Sequence, residues 1–442
     1  MPVKIGMVSL GCPKNQVDAE QMLYLLKSAG HEIGVEESEA DVIIVNTCGF
    51  IEDAKKEAIE NILEAATYKK NGKCRVLIVT GCLAERYKDE VSAEIPEVDA
   101  VVGIGSNGEI AEIVERTVGG NHTNCYGDKL SLDLNTPRIL GGYPFSAYIK
   151  IADGCNNCCT YCAIPLIRGK MRSRKIEDIV AQARTLAAGG VKELIVVAQD
   201  TTAYGEDIYG CAKLPELLRQ LCKIDGLRWI RTLYTYPERI TDELLDTVAN
   251  EEKLVKYFDI PLQHVNGDIL KSMNRRGNEE HLRALIEKIR NKIPDVTIRT
   301  TFITGFPGET QQQFEQLHKF VKDMRFDRLG CFTYSAEEGT FAAGMPNQID
   351  EQTKQDRLEL IMDSQNLIAV QKNEEKIGKQ TDVLIEGYDD YIRCYFGRSA
   401  ADAPEVDGKI FFISNRPLVL GDFVKVKIND VLEYDLLGET AE

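Results

Sequence analysis

The chain has 442 residues, 43% hydrophobic and 28% charged, with a net charge of −17. That balance excludes global disorder, and at about 100–200 residues per domain the length suggests two to four domains. No apolar run reaches the roughly 18 residues of a membrane span, and the opening MPVKIGMVSLGC lacks the apolar core and cleavage site of a signal peptide, so a cytoplasmic protein with no membrane partner is expected. The charge is uneven. Residues 1–140 hold 14 Lys and Arg against 23 Asp and Glu, residues 377–442 hold 7 against 13, and the middle is close to neutral. Phosphate-backbone binding needs clustered cations, so a whole-surface nucleic-acid binder is disfavoured and a basic protein partner fits the acidic ends better.

In chain order, VKIGMVSL predicts a strand, followed by a helical pattern over about 16–29. DVIIVN, CRVLIVT and AVVGIG repeat the arrangement, with helices over about 51–68, from Ala84 and after Asn107. Apolar strands separated by amphipathic helices predict an α/β fold with a parallel, doubly wound sheet. Residues 121–142, with NHTN, NTP and GG, read as a linker. From Ser146 six β–α units (AYIKI, ELIVVAQ, WIRTLY, YFDIPLQ, TIRTTFITG, RLGCFTY) predict a partial or full (β/α) barrel, and a long polar helix over roughly 351–377 follows. The last 65 or so residues are short β-rich runs broken by Gly, Asp and Pro, the pattern of a small antiparallel barrel. The expected units are 1–140, 141–376 and 377–442.

Thirteen cysteines, an odd count, argue against a disulfide framework and for metal or redox chemistry. Cys74, Cys125, Cys211, Cys222, Cys331 and Cys394 are scattered singly, and most of these are expected to be small core residues. Cys12, Cys48 and Cys82 each follow an apolar strand, 36 and 34 residues apart. Parallel strands end on one sheet edge, where ligand sites form, so three thiols far apart in sequence should converge. Three ligands do not close a structural zinc site, which wants four, and match an iron–sulfur cluster with one iron left free. Three unrelated strand-end cysteines are the plainer alternative. The second set is Cys155-Asn-Asn-Cys158-Cys159-Thr-Tyr-Cys162. It contains C-x3-C-x2-C at Cys155, Cys159 and Cys162, with Cys158 out of frame. A zinc reading would pair Cys155 with Cys158 and Cys159 with Cys162, forcing two adjacent residues onto one ion.

C-x3-C-x2-C with Tyr161 before its last cysteine, at the start of a (β/α) barrel, resembles the radical S-adenosylmethionine superfamily. Together with SLGCPKN, NTCGF, GCLAERY, AQDTTAYGED, DIPLQH, MNRRG and TFITGFPGET, the chain looks like a methylthiotransferase, and GRSAADAPEVDG resembles part of a TRAM domain. Cys12-Pro13-Lys14-Asn15 and the acidic tail look closer to the ribosomal-protein branch. The transfer-RNA branch usually has a Gln-Met-Asn type sequence at the first cysteine, and transfer-RNA adenosine methylthiolation is the alternative. A non-enzymatic iron–sulfur carrier would not need the barrel. The resemblance implies two 4Fe-4S clusters and S-adenosyl-L-methionine. The cluster at Cys155, Cys159 and Cys162 would bind S-adenosylmethionine and yield a 5′-deoxyadenosyl radical. The one at Cys12, Cys48 and Cys82 would carry the sulfur. The implied substrate is the β-carbon of an aspartate in the basic decoding-centre protein of the small ribosomal subunit. An electron donor such as flavodoxin or ferredoxin is implied as a partner, and no direct RNA binding.

Other residues carry weaker signals. Tyr161 would pack on the adenine or merely shield the cluster. Gln199 and Asp200 end a barrel strand, where cofactor-facing residues sit, or cap a helix. Gly305, Gly308 and Glu309 in GFPGE form a β–α turn that would approach the cofactor closely or simply turn the chain. Arg168, Lys170, Arg172 and Arg174 would contact a cofactor carboxylate, the substrate, or only solvent. The five histidines, His264 among them, show no metal spacing. Asp389, Asp390, Asp402, Glu405 and Asp407 fall in or near loops of the predicted C-terminal barrel and suggest an acidic docking surface for the basic protein.

Overall fold

The computed structural model describes residues 2–441. The first unit alternates strands and helices: β1 (Lys4–Ser9), α1 (Pro13–Ser28), β2 (Glu32–Ile33), β3 (Val42–Thr47), α2 (Glu52–Asn71), β4 (Val76–Gly81), α3 (Cys82–Tyr87), α4 (Asp89–Glu94), β5 (Ala100–Val102) and α5 (Ile110–Val118). All five strands run parallel in the order β2-β1-β3-β4-β5. β3 and β4 are buried on both faces, which explains their unbroken apolar runs. The order is flavodoxin-like, and its topological switch point lies between β1 and β3. The edge strand β2 is two residues long and has no apolar run of its own.

The central unit holds β6 (Ser146–Lys150), β7 (Ala152–Asp153), α6 (Ile164–Arg168), β8 (Arg172–Ser173), α7 (Ile176–Ala188), β9 (Glu193–Val197), α8 (Glu206–Tyr209), α9 (Leu214–Cys222), β10 (Trp229–Thr232), α10 (Asp242–Asn250), β11 (Tyr257–Gln263), α11 (Gly267–Ser272), α12 (Glu279–Lys292), β12 (Thr297–Thr304), α13 (Gln311–Met324), β13 (Arg328–Thr333) and α14 (Glu351–Glu374). The six predicted strands are present and parallel. They form two ladders, β6-β9-β10 and β11-β12-β13, joined by single bridging bonds such as Val255 N–H to Ile230 O (3.1 Å). Among the described residues no ladder joins β6 to β13, so the barrel is partial. Leu194 and Val196 face the helices with Ile179 and Ala183, while Ile195 and Val197 face inward. α13 starts at a capping box between Thr310 and Gln313.

The last unit is a closed five-stranded barrel of β14 (Gln380–Asp389), β15 (Cys394–Ser399), β16 (Ile410–Ile413), β17 (Phe423–Leu432) and β18 (Asp435–Thr440). It is antiparallel except that β16 and β18 pair parallel. The expected wholly antiparallel barrel is corrected there: β17 lies between those two strands in sequence, so they are not joined as a hairpin.

This barrel packs against the inner face of the central one at the N-terminal ends of its strands. Tyr148, Ile195, Trp229 and Tyr257 share one apolar cluster with Leu384, Ala403 and Val17 of α1. Beneath it lies a buried ion network. Glu193 accepts hydrogen bonds from Arg398 (2.6 Å), Arg231 (3.2 Å) and Ser146 (3.0 Å), and Arg398 also pairs with Glu386 (2.6 Å). The acidic loop expected to be a docking surface forms part of this contact. Asp402 is 2% exposed and pairs with Arg328 (2.6 Å), and Asp407 accepts from the Tyr257 hydroxyl (2.6 Å). Asp389 caps the backbone of Tyr391 and Ile392. Of the five acids, Asp390 and Glu405 are exposed. Asp402 and Asp407 are withdrawn from solvent because Arg328 and Arg299 of the central barrel meet them, while Glu405 between them stays exposed.

Candidate active site: two cysteine sets joined by buried ion pairs

All thirteen cysteines are free thiols. Cys74, Cys222, Cys331 and Cys394 are buried, as expected for core residues, while Cys125 is half-buried and Cys211 exposed. Cys12, Cys48 and Cys82 stand at the C-terminal ends of β1, β3 and β4, on one sheet edge at the switch point. Two glycines let these ends approach. Gly11 has φ +88°, and a Cβ there would lie 2.6 Å from Cys48 Cβ; Gly81 has φ +93°, and a Cβ there would collide with the Thr47 carbonyl. Asn15 stitches the ends together, donating to the carbonyls of Leu10 (2.7 Å) and Thr47 (3.3 Å).

Burial opposes ionisation of all three thiols. It pushes Cys82 up to about 12 and raises Cys48. At Cys12 the nearby charges of Lys14 and Arg168 overcome burial and hold the thiol below its ordinary value. The Lys14 ammonium lies 3.5 Å from the ring centroid of Tyr234, just beyond β10, so this first helical turn touches both units.

Cys155, Cys159 and Cys162 lie on the loop between β7 and α6, all half-buried. Cys158 is exposed, with φ +52°, in keeping with its out-of-frame position. Backbone bonds fix the loop: Cys155 N–H to Gly169 O (3.1 Å), Cys162 N–H to Cys159 O (3.0 Å) and Thr160 N–H to Met273 O (3.1 Å). Burial raises Cys155 to about 11 and Cys162 to about 12. Tyr236 OH lies 3.9 Å from Cys159 Sγ, and the Arg275 guanidinium sits 4.2 Å from the Tyr236 ring centroid. Sequence reasoning missed Lys14, Asn15, Tyr234, Tyr236 and Arg275, although CPKN and MNRRG are among the matching stretches and YTYPE follows a barrel strand.

Among the described residues no three His, Cys, Asp or Glu side chains converge tightly enough to hold one metal ion. A four-iron cluster makes a different demand, because each thiolate binds its own iron and the triangle is wider. The donor chemistry fits such a cluster: soft thiols at three corners, on glycine-cleared backbone at one sheet edge or on one pinned loop.

The weaker candidates fall into distinct places. Tyr161 packs with Phe306 of the GFPGE turn, Met273 and Tyr334, and lies 3.5 Å from Arg275 Nη1. Gln199 Nε2 donates to Asp153 (3.0 Å), and its buried Oε1 has no protein partner. Asp200 caps the short helical turn at 201–203, and its other oxygen accepts from Asn157 (2.8 Å) and Arg239 (3.1 Å), so it caps and also braces the cysteine loop. The cradle at Gly305 is filled by Lys354, whereas a Cβ at Gly308 would meet nothing within 4 Å. His264 is fully buried, and its Nδ1 accepts from Asn266 N–H (2.9 Å).

The four residues of the basic run do not act as one group. Arg168 is buried and bonds Asp153 (3.1 Å), Asp18 (2.8 Å) and Cys82 Sγ (3.7 Å). Arg172 donates to the carbonyls of Leu130 and Leu132, and Arg174 to Asn135 and the Lys150 carbonyl. Lys170 alone is exposed. These arginines tie the linker and the first unit to the barrel. The same contacts explain α1, whose buried polar face (Lys14, Asn15, Asp18, Glu20, Gln21) docks on charged groups such as Lys150 and Arg138.

Glu309 folds back to accept from the backbone N–H groups of Gly305 and Phe306, and burial raises it to about 7 from an ordinary 4.5. Its folded pKa lies above its unfolded one. Its contribution therefore favours folding below about pH 4.5 and is lost as pH rises through about 7. Glu309→Gln should lose less stability than the parent across that window, measured by chemical denaturation at its two ends. Equal losses in both proteins would show that the carboxyl does not titrate there.

Residues 4–103 match the model of Uncharacterized protein family UPF0004, residues 149–321 that of the Radical SAM superfamily, and residues 377–441 that of the TRAM domain. Ribosomal protein uS12 methylthiotransferase RimO of Desulforamulus reducens is 51% identical over 99% of this chain and 99% of its own length. The enzyme of that name from Acetivibrio thermocellus is 50% identical over 99% of this chain and 98% of its own. The solved radical S-adenosylmethionine methyltransferase TsrM of Kitasatospora setae superposes with a TM-score of 0.56 at 14% identity over 75% of each chain, a likeness of fold alone. Among the described residues no helix is long and apolar enough to cross a membrane. With half of all positions identical to such relatives from end to end, the chain belongs to the RimO family of radical SAM methylthiotransferases.

Proposed function

We propose that the chain replaces a β-carbon hydrogen of an aspartate in the basic decoding-centre protein of the small ribosomal subunit by SCH3. The observation carrying this is the placement of two three-thiol sets on two units that share one buried ionic junction. Cys155, Cys159 and Cys162 would hold one 4Fe-4S cluster, with S-adenosylmethionine beside it, and Cys12, Cys48 and Cys82 a second. When bound, these groups supply the one-electron chemistry and the sulfur that acid–base side chains cannot provide. The protein's share is to fix the two sets relative to each other, keep their thiols from water and admit the substrate. Residues 1–140, 141–376 and 377–442 are its three working units, with Gln199, Tyr161 and Gly308 lining the S-adenosylmethionine side.

A cleft of about 550 Å³ opens beside Gly11 and Cys12 and supports a basic protein substrate. Glu20, Glu36, Glu37 and Glu405 line it, and none of its described lining residues is Lys or Arg. Glu20 is neutralised by Arg138 (3.0 Å), which leaves Glu36, Glu37 and Glu405 to face an incoming segment. Complementary charge mainly speeds encounter and fixes orientation. Changing those three together to Lys should slow association with the ribosomal protein roughly tenfold at low salt, with a smaller effect at high salt. Surface-plasmon kinetics at two salt concentrations check this, and an unchanged on-rate would remove the cleft from the docking path.

The function itself is tested by mass spectrometry of the decoding-centre protein from cells with and without the gene. The mass gain of SCH3 for H should vanish with the gene. Its persistence would refute the proposal.

A further inference from the structure

Arg168 joins the two halves of the site. It ends α6, six residues after Cys162, and its side chain is 1% exposed. Nη1 is forked by both oxygens of Asp153 (3.1 Å each) and reaches Asp18 (2.8 Å), while Lys150 bonds the same two carboxylates. Two cations and two carboxylates therefore balance. The other nitrogen, Nη2, faces the first unit, 3.7 Å from Cys82 Sγ and 3.5 Å from Asn15 Oδ1. Asp153 directly precedes Gly154 and Cys155 and also accepts from Gln199 Nε2 (3.0 Å). Sulfur of the first set, guanidinium, carboxylate and the root of the second cysteine loop thus form one buried chain of contacts.

Hydrogen bonds to cluster sulfurs, local charge and solvent exclusion set the potential of an iron–sulfur centre. A donor aimed at a ligating sulfur withdraws electron density and makes the centre easier to reduce. From this geometry we infer that Arg168 is a positioning and tuning residue. Through its N–H to Cys82 it raises the reduction potential of the centre held by Cys12, Cys48 and Cys82, and its bond to Asp153 fixes that centre against the second cysteine loop. This rests on the proposed pair of clusters and adds which side chain sets the properties of one of them. Lysine cannot substitute: its single ammonium keeps the charge and can satisfy the carboxylates, but it lacks the planar fork that reaches Asp153 and Cys82 together.

The test is an EPR-monitored redox titration of the anaerobically reconstituted full chain, with iron counted in every sample. In Arg168→Lys the midpoint of the first centre should move to more negative potential while that of the Cys155, Cys159, Cys162 centre stays in place. The charge-balanced double variant Arg168→Gln with Asp18→Asn should do the same, which covers failure of the lysine variant to fold. Asp153→Asn keeps the donor on Cys82 and removes a neighbouring negative charge, so it should move the first midpoint the opposite way. An unmoved first midpoint at full iron content, or equal movement of both centres, would overturn the inference. Absence of any second centre in the parent protein would instead overturn the cluster assignment on which it rests.

Discussion

Replacing Cys155, Cys159 and Cys162 together with alanine should remove about half the iron of the anaerobically reconstituted protein and abolish formation of 5′-deoxyadenosine from S-adenosylmethionine. The substitution is small by structural standards. The loop is held by backbone bonds to Gly169, Met273 and Ala342 and by the Asp200 brace on Asn157, none of which uses a thiol. The variant should therefore fold, and its loss should be chemical. Cys12→Ala makes the contrasting case. It damages the other set, on the other unit, and should leave 5′-deoxyadenosine formation in place while ending methylthiolation. Full iron in the triple variant, or a folded Cys12→Ala protein that makes no 5′-deoxyadenosine, would break the division of labour between the two sets.

The second large effect is expected far from the cysteines. Glu193 is fully buried, and two arginines point at it, Arg231 from β10 and Arg398 from β15. Removing one member of a buried ionic group leaves its partners charged and unpaired, at a cost of about 3–5 kcal/mol. Glu193→Ala should therefore lower stability by about that amount and free the C-terminal barrel, seen as faster proteolysis between α14 and β14. Burial alone would raise the Glu193 carboxyl, but Arg398 and Arg231 draw it down to about 2 from an ordinary 4.5. Its folded pKa is depressed, so its stabilisation is present above about pH 4.5 and is lost as pH falls through about 2. The gap between parent and Glu193→Gln should be widest near neutrality and narrow as the solution is acidified below pH 4.5. A gap independent of pH would mean that packing, not charge, accounts for the loss.

Much of the site was legible because it rests on strand ends. The period of apolar strands located β1, β3 and β4, and with them the convergence of Cys12, Cys48 and Cys82 on one edge. The C-x3-C-x2-C loop needed only local spacing. Residues whose role depends on what another unit brings were not legible. Asp402 and Asp407 look like solvated loop acids until Arg328 and Tyr257 meet them, and α1 looks like a surface helix until Lys150 and Arg138 do. Arg168 reads as one cation in a run, because nothing local separates it from the exposed Lys170 two positions on. The parallel pairing of β16 with β18 is also a long-range choice, invisible in strands of four and six residues.

The floor of the central barrel has a consequence for how the chain is made. Glu193 and Arg231 leave the ribosome long before β15, whose Arg398 completes their network, and Glu193 and Arg398 are 205 positions apart. Domains generally fold as units during synthesis, the N-terminal ones first. The flavodoxin-like sheet can follow that rule, since its five strands are consecutive. The barrel cannot finish by it, because Arg328 at its floor meets its carboxylates, Asp402 and Asp407, only in the last 65 or so residues. Nascent chains stalled before Arg398 are therefore expected to show a protease-resistant first unit and a sensitive centre, with resistance spreading to the centre once the C-terminal barrel has emerged. Translation of the final strands would then be the event that switches the molecule from a folded head on a loose body to a single enzyme.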